Sequence, residues 1–296
     1  MLNKEKPVTL IIDKEKCTKC SICLNSCHDY LKTDKDGYPS QNQKSQLGCI
    51  QCGHCMMKCP NDAIEIKGEG IDKNHLRELS NDIADYKNLQ NLLLKRRSHR
   101  KFKKEEISNE TIQKILNSAS AAAVGLPPSE VKVIVINGYQ KMQEFTEDLI
   151  EQMQQAKKIF NPLLLNIFKP LISEPQFKMF KEFIIPLLNE TLTEREQGKD
   201  ILLYDAPAIM IFYASEISST EDPIIAATQA TLAAETLGLG TCFIGSVCPI
   251  LDNKKLRKKY GILKEEKLGT AFILGVPDNT YLKGFQRNFK EIKIIN

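Results

Sequence analysis

The stretch "CTKCSICLNSCH" (17–28) spaces four cysteines at offsets of three, three and four, and "CIQCGHCMMKCP" (49–60) repeats the pattern. A cubic four-iron cluster needs a thiolate at each of four corners. A loop with ligands at i, i+3 and i+6 wraps three corners, so the fourth ligand has to come from elsewhere in the chain. Paired C-x-x-C units also build zinc sites. Duplication of the whole run in a three-residue register favours iron–sulfur clusters over zinc. The candidate ligands are Cys17, Cys20, Cys23, Cys27, Cys49, Cys52, Cys55 and Cys59.

The rest of the 296-residue chain is long enough for a second domain. Hydrophobic residues make up 42% and charged residues 26%, the balance of an ordinary globular protein. A formal charge of +4, spread over scattered lysines and glutamates, gives no reason to expect nucleic acid or membrane as a partner. The start, "MLNKEKPVTLIID", lacks the apolar core of a signal peptide. The most apolar stretch, "IFNPLLLNIFKPLI" (159–172), is shorter than the roughly 20 residues of a membrane helix and is broken by proline and lysine. Eight of ten cysteines crowd into the first 60 residues without a leader, which fits metal binding in a reducing cytoplasm better than a disulfide scaffold.

"VTLII" (8–12) and "AIEIK" (63–67) read as strands flanking the two runs, with a polar connector, "TDKDGYPSQNQKSQ", between them and a boundary at "GEG" (68–70). From Asp72 to Lys95, the apolar residues Leu76, Leu79, Ile83, Tyr86, Leu89 and Leu93 recur every three or four positions. That periodicity predicts an amphipathic helix packing a small domain onto a large one. A helix over 108–123, capped by Ser108, follows "RRSHRKF" (96–102). "EVKVIVING" (130–138), "DAPAIMIFYAS" (205–215) and "KLGTAFILGVPD" (267–278) read as strands, and "DPIIAATQATLAAETLGLG" (222–240) as a tightly packed helix. Residues 140–200, cut by Pro162, Pro170, Pro175 and Pro186, read as short helices that form either a lid or a packed insertion. Cys242 and Cys248 read as buried small hydrophobes. The organisation expected is 1–70, a linking helix 71–95, and 96–296.

Residues 8–67 resemble a bacterial-type ferredoxin with two four-iron clusters. In that family the fourth cysteine of each run serves the other cluster. The resemblance therefore implies Cys17, Cys20, Cys23 and Cys59 around one cluster and Cys49, Cys52, Cys55 and Cys27 around the other. His28 stands where the family has proline, whereas Cys59 is followed by Pro60; this loosens a turn and removes no ligand.

A wire needs a receiving redox centre. "GLGTCFIG" (238–245) is not a dinucleotide fingerprint, because Phe243 occupies its sixth position and its glycines close a helix instead of opening one. In "RRSHRKF", Arg96, Ser98 and Arg100 alternate, so on an extended segment they share a face suited to a phosphate and a polarised ring carbonyl. A solvated basic patch at a helix end is the competing reading of the same residues. From residue 96 onward the chain resembles the FMN-dependent nitroreductases, through "RRSHRKF", "LAAETLGLGTCFIG" and "AFILGVPD". The resemblance implies an α+β sandwich, a central antiparallel or mixed sheet flanked by helices, behind a ferredoxin-like domain. By position it implies Arg96, Arg97, Ser98 and Arg100 as FMN ligands, with Arg96 and Ser98 on the phosphate and Arg100 at the flavin N1 and O2 edge. It also implies the Gly245 and Ser246 N–H groups at N5, and Arg287 as a second phosphate ligand. "VGLPPSE" (124–130) lacks the Asn, Gln and Trp that the family carries there.

The implied protein is a homodimeric flavin oxidoreductase carrying FMN and two [4Fe-4S] clusters. Its donor would be external and low-potential, such as ferredoxin or NAD(P)H. Its acceptor would be a small nitroaromatic, quinone or activated alkene, with reductive dehalogenation or electron relay to a partner as alternatives.

Overall fold

A computed structural model describes residues 8–27, 29–68, 70–125, 130–159 and 173–295. His28, the centre of "VGLPPSE" and the proline-rich 160–172 lie outside the described residues. The chain forms two compact units, one of Met1–Ile83 with Val124–Glu130, the other of Ala84–Ala123 with Val131–Asn296.

In the first unit, β1 (Thr9–Ile12) pairs antiparallel with β4 (Ile64–Lys67), placing the strand ahead of one cysteine run beside the strand that leaves the other. The runs themselves are superimposed halves of a repeat displaced by 32 positions, Cys17 to Cys49 through Cys27 to Cys59. The backbone repeats with them. Lys19 and Ser21 adopt φ of 58° and 63°, and their counterparts Gln51 and Gly53 adopt 56° and 72°. These left-handed residues turn the chain between successive cysteines, and each pair feeds a short helix, α1 (Ile22–Ser26) or α2 (His54–Met57). The polar connector contains a hairpin that the sequence reading omits, β2 (Leu31–Thr33) with β3 (Pro39–Gln41). Its signal is "DKDG": the Asp34 carboxylate accepts from the Asp36 and Tyr38 N–H groups, and Gly37 takes φ of 86°.

The helix expected over Asp72–Lys95 is shorter. A 3₁₀ turn covers Lys73–His75, and the α-helix α3 runs only from Tyr86 to Lys95, started by Asp85 accepting from the Asn88 N–H. An aspartate N-cap halts a helix from extending backwards, and it outweighs the three-to-four periodicity on its amino-terminal side. Leu79 and Ile83, counted into that periodicity, are 96% and 80% exposed.

The second unit is built on an antiparallel sheet ordered β5 (Val131–Asn137), β6 (Ala208–Ala214), β8 (Lys267–Gly275), β7 (Gly240–Phe243). Strand β6 is buried along almost its whole length, consistent with helices on both faces. Ile209 and Ile211 join a core with Phe145 and Leu149 of α5 (Tyr139–Ile159) and Leu188 and Leu192 of α7 (Ile185–Glu196). The alternate residues Met210 and Phe212 point the other way. There α8 (Asp222–Thr236) packs on β6 and β8 through Ala226, Ala227, Ala230 and Ala234, and α3 and α4 (Asn109–Ser120) pack on α8. Pro223 lies so close to Gly269 that any side chain there would collide with it.

Pro175 does not cut a helix as the sequence reading has it: it sits in the first turn of α6 (Glu174–Met179), where the missing proline N–H costs nothing because that donor has no intrahelical partner. Pro186 lies one residue into α7, directly after a π-helical turn, Phe180–Ile184, that joins the two helices through continuous helical backbone. Among the described residues no helix is long and apolar enough to cross a membrane.

The segment "RRSHRKF" adds itself along the free edge of β7. Ser98 bridges Thr241 in the parallel sense, and the His99 N–H donates to the Thr241 carbonyl at 2.9 Å. This approach needs glycine: a Cβ on Gly240 would lie 2.6 Å from the His99 ring, and one on Gly275 would lie 2.7 Å from Phe102. The Gly240→Ala substitution therefore overpacks the seam and should cost about 1–3 kcal/mol. The expected result is a lower midpoint in thermal or urea unfolding, with no change in secondary-structure content by circular dichroism.

Candidate functional site

The eight cysteines of the first unit fall into two sets, each drawing on both runs. Cys17, Cys20, Cys23 and Cys59 line one pocket, whose remaining wall includes Ile12, Pro39 and Ile64. Cys27, Cys49, Cys52 and Cys55 form the other set: the Cys55 thiol feels the charge of Cys49, Cys52 and Cys27, and burial with that repulsion pushes it up to about 12. Burial likewise raises Cys23 and Cys49. Such thiols stay protonated in the empty chain, so metal loading must displace their protons.

Among the described residues no three His, Cys, Asp or Glu side chains converge closely enough for one metal ion. A zinc ion bonded at about 2.3 Å would draw its sulfurs within about 4 Å of one another. Four thiols in each set match instead the ligand count of a four-iron core. Backbone donors already face two of them, Gln51 N–H to Cys49 Sγ at 3.4 Å and Ala63 N–H to Cys59 Sγ at 3.2 Å. Hydrogen bonds to ligand sulfur are one of the levers that set a cluster's potential.

In the second unit Arg96 ends α3, Ser98 lies at the bridge to Thr241 and Arg100 is exposed, while His99 turns inward. His99 is 5% exposed, pairs its Nδ1 with Asn279 Oδ1 at 3.2 Å and meets the Tyr281 ring edge-on at 5.0 Å. Among the described residues the Arg96 and Ser98 side chains make no hydrogen bond or ion pair, and Arg100 has only the Tyr204 ring, 5.8 Å from its guanidinium. Three donor groups without anionic partners on one extended face are a site waiting for an anion. Carrying the register forward from Ser98 opposite Thr241 puts Arg100 beside Phe243, two residues short of Gly245.

Gly245 is exposed, and a Cβ added to it would meet nothing within 4 Å. Neither its N–H nor that of Ser246 has an acceptor among the described residues, and Ser246 leads directly into α9 (Val247–Leu251). This edge therefore offers free backbone donors beside free cationic side chains. Arg97 does not join them: its Nη2 donates to the Phe285 carbonyl at 2.8 Å, tying the segment to the carboxyl-terminal tail. Arg287 is exposed in that tail, two residues past Phe285. Cys242 is buried in the core, and burial beside Asp252 raises Cys248 to about 11, which disfavours the Cys248 thiolate.

Tyr204 and the tail residue Tyr281, whose hydroxyl donates to the Ser98 carbonyl, are the neighbours that sequence reasoning missed. Neither carries a local signal, since both reach the segment through long-range folding.

Residues 93–276 match the model of the nitroreductase family. The chain belongs to that family. Residues 9–74 match a 4Fe-4S dicluster domain, ahead of the family's usual extent. Over 72 residues the chain is 33% identical to NADH-quinone oxidoreductase subunit I 2 of Geobacter metallireducens, a match covering 22% of this chain and 55% of that one. Over 71 residues it is 38% identical to an uncharacterised ferredoxin of Methanocaldococcus jannaschii, covering 22% and 42%. The chain thus spans about half the length of the curated relatives it matches. Among solved structures, a nitroreductase with bound FMN from Desulfitobacterium hafniense is 19% identical, with a TM-score of 0.49 over 70% of this chain and 97% of that one. A BluB-like flavoprotein from Clostridium difficile is 20% identical, with a TM-score of 0.47 over 69% and 99%.

The crossed arrangement of the thiols has a direct consequence for this nitroreductase-family chain. Anaerobically prepared Cys59→Ser should damage the same centre as Cys20→Ser, although the two residues belong to different runs. Cys27→Ser should damage the centre lost in Cys52→Ser. Electron paramagnetic resonance of the reduced variants distinguishes the two spectra, and loss grouped by run instead would contradict the crossed sets.

Proposed function

We propose that the protein is an FMN-dependent oxidoreductase in which two [4Fe-4S] clusters deliver electrons to the flavin for reduction of a small organic acceptor. The observation that carries this reading is the unpaired Arg96–Ser98–Arg100 face on a glycine-lined sheet edge, in a chain that also holds two four-thiol rings. When bound, the clusters take up single electrons and FMN collects two and releases them as a hydride equivalent.

The residues' part in this is binding and electrostatics. Arg96 and Ser98 supply the charge-assisted and neutral hydrogen bonds that a phosphate requires, with Arg287 as a second phosphate partner brought in by the tail. Arg100 would sit at the pyrimidine edge of the ring, where a fixed positive charge favours the anionic reduced form. The free N–H groups of Gly245 and Ser246 would face N5 and fix the height of the ring over the sheet edge. No nucleophile or acid–base pair is required of the chain. Nitroaromatics, quinones and activated alkenes are the acceptor classes proposed, and reduced ferredoxin or NAD(P)H the donor.

A homodimer is proposed on the apolar surface this unit exposes. Tyr86 on α3, and Leu282, Phe285, Phe289 and Ile292 in the tail, are each at least 70% exposed. A patch of this kind marks an interaction surface. Sedimentation should give twice the chain mass, and replacing Phe289 and Ile292 together by aspartate should shift the protein towards monomer.

Anaerobic purification should yield FMN in a one-to-one ratio with the chain, and its absence would overturn the reading. Ser98→Ala and Arg96→Ala should each weaken FMN binding about tenfold or more, the worth of one hydrogen bond to a charged group. In stopped flow with a low-potential one-electron donor, Cys52→Ser should retain FMN but reduce it far more slowly. Equal rates would sever the proposed link between clusters and flavin.

A further inference from the structure

The two thiol rings are not equivalent, and the residue that separates them is Tyr30. Its side chain is 4% exposed and packs in the core that contains Cys23 and Cys55, with Cys27, Cys49 and Cys59 against that core. Its hydroxyl is buried and has no hydrogen-bond partner among the described residues. Native folds rarely leave a buried hydroxyl unsatisfied, and each instance calls for a missing acceptor. Phenylalanine would fill the same space without that cost.

The surroundings name the acceptor. The charges that act on the Tyr30 phenol come from Cys49, Cys27 and Cys55, three members of one ring and none of the other. Cluster sulfide and thiolate sulfur have no proton to give, so the phenol O–H can only be the donor towards them. The residue is also fixed in place. Its carbonyl accepts from the Asn42 N–H at 2.8 Å, Asn42 Nδ2 donates to the Asp29 carbonyl at 2.9 Å, and Asp29 accepts from the Leu47 N–H. Displacement by 32 positions takes Tyr30 to Asp62, which is exposed. The first ring therefore has no counterpart of this hydroxyl at the repeat position.

We propose that Tyr30 donates a hydrogen bond to the sulfur of the cluster held by Cys27, Cys49, Cys52 and Cys55, raising that cluster's reduction potential and making the two clusters unequal. The proposal rests on the cluster assignment made above. Reduction adds negative charge to the cluster, and a donor aimed at its sulfur stabilises the reduced form more than the oxidised one. Tyr30 is thus a positioning residue for electron transfer; it undergoes no chemistry itself.

The test is an anaerobic redox titration of the full-length holoprotein and of Tyr30→Phe, followed by electron paramagnetic resonance, with iron and acid-labile sulfide counted in both. The expected result is eight iron per chain in both proteins and a lower midpoint for one cluster only. About a tenfold loss of its reduced fraction at fixed potential, or 59 mV for one electron, corresponds to one such bond. Unchanged midpoints, or an equal shift of both clusters, would overturn the role of Tyr30 while leaving the clusters in place. Fewer than eight iron in the unmodified protein would instead overturn the cluster assignment. Should Tyr30→Phe lose iron, electron–nuclear double resonance of the unmodified reduced protein decides. A slowly exchanging proton coupled to one cluster, replaced after prolonged incubation in deuterated water, supports the bond, and its absence rejects it.

Discussion

Two glycines on the β7–β8 edge, Gly240 and Gly275, let a seventh-residue-long basic segment lie against the sheet, and much of the second unit's chemistry hangs on that approach. His99 fills the space over Gly240 and Phe102 the space over Gly275. Because these side chains are turned in and held, Ser98 and Arg100 are turned out, on a backbone pinned by the bridge to Thr241. The contact holds the backbone of a basic run against the sheet edge, with His99 turned in. Tethering continues outward, as Arg97 binds the Phe285 carbonyl and Tyr281 binds the Ser98 carbonyl, so the segment is clamped between the sheet edge and the tail.

How far the sequence revealed this depended on the range of the interaction concerned. The cysteine runs were legible because a cluster's ligand spacing is a local property, and their duplication was visible by eye. The strands β5, β6 and β8 were legible as apolar runs, most clearly β6, which is buried on both faces. The end of α8 was read late: the sequence reading carried the helix to Gly240, whereas it stops at Thr236, Gly238 takes φ of 77° and Gly240 opens β7. What failed was periodicity without attention to caps. Leu76, Leu79 and Ile83 sit at helical spacing, yet Asp85 starts the helix after them. Pro175 was read as a break when it occupies a first turn, and Pro186 when the helix passes through it by way of a π-helical turn. Arg97 could not be told from its neighbours, since what removes it from the donor face is a carbonyl 188 positions away.

The two units also divide the electrostatic task. In the first, burial raises thiols such as Cys55 and Cys23, so the empty chain carries less negative charge there than the loaded one will. Loading therefore changes the charge of that unit, whereas the formal +4 of the sequence counts every cysteine as neutral. In the second, Arg96 and Arg100 carry fixed charge at any physiological pH. A cation that cannot titrate suits a group whose own charge changes on reduction, because the stabilisation does not fade as protons come and go.

One strained feature adjoins this site. Tyr204 and Asp205 both adopt left-handed backbone, φ of 57° and 50°, where a side chain costs roughly 1–2 kcal/mol per residue. Asp200 meets part of that cost: its carboxylate accepts from the N–H groups of Leu202, Leu203 and Asp205. Glycine or asparagine would hold the same turn with less strain, so the side chain of Tyr204 must return something. Its ring lies under the Arg100 guanidinium, and a cation over an aromatic face is worth about 0.5–1 kcal/mol at an exposed site. That offsets part of the strain at Tyr204 and adds direction: Arg100, otherwise exposed and free to swing, is biased towards one position. Strain of this kind persists where the surrounding structure fixes it and the local geometry is of use. Here it aims the one arginine of the segment that would meet the ring instead of the phosphate.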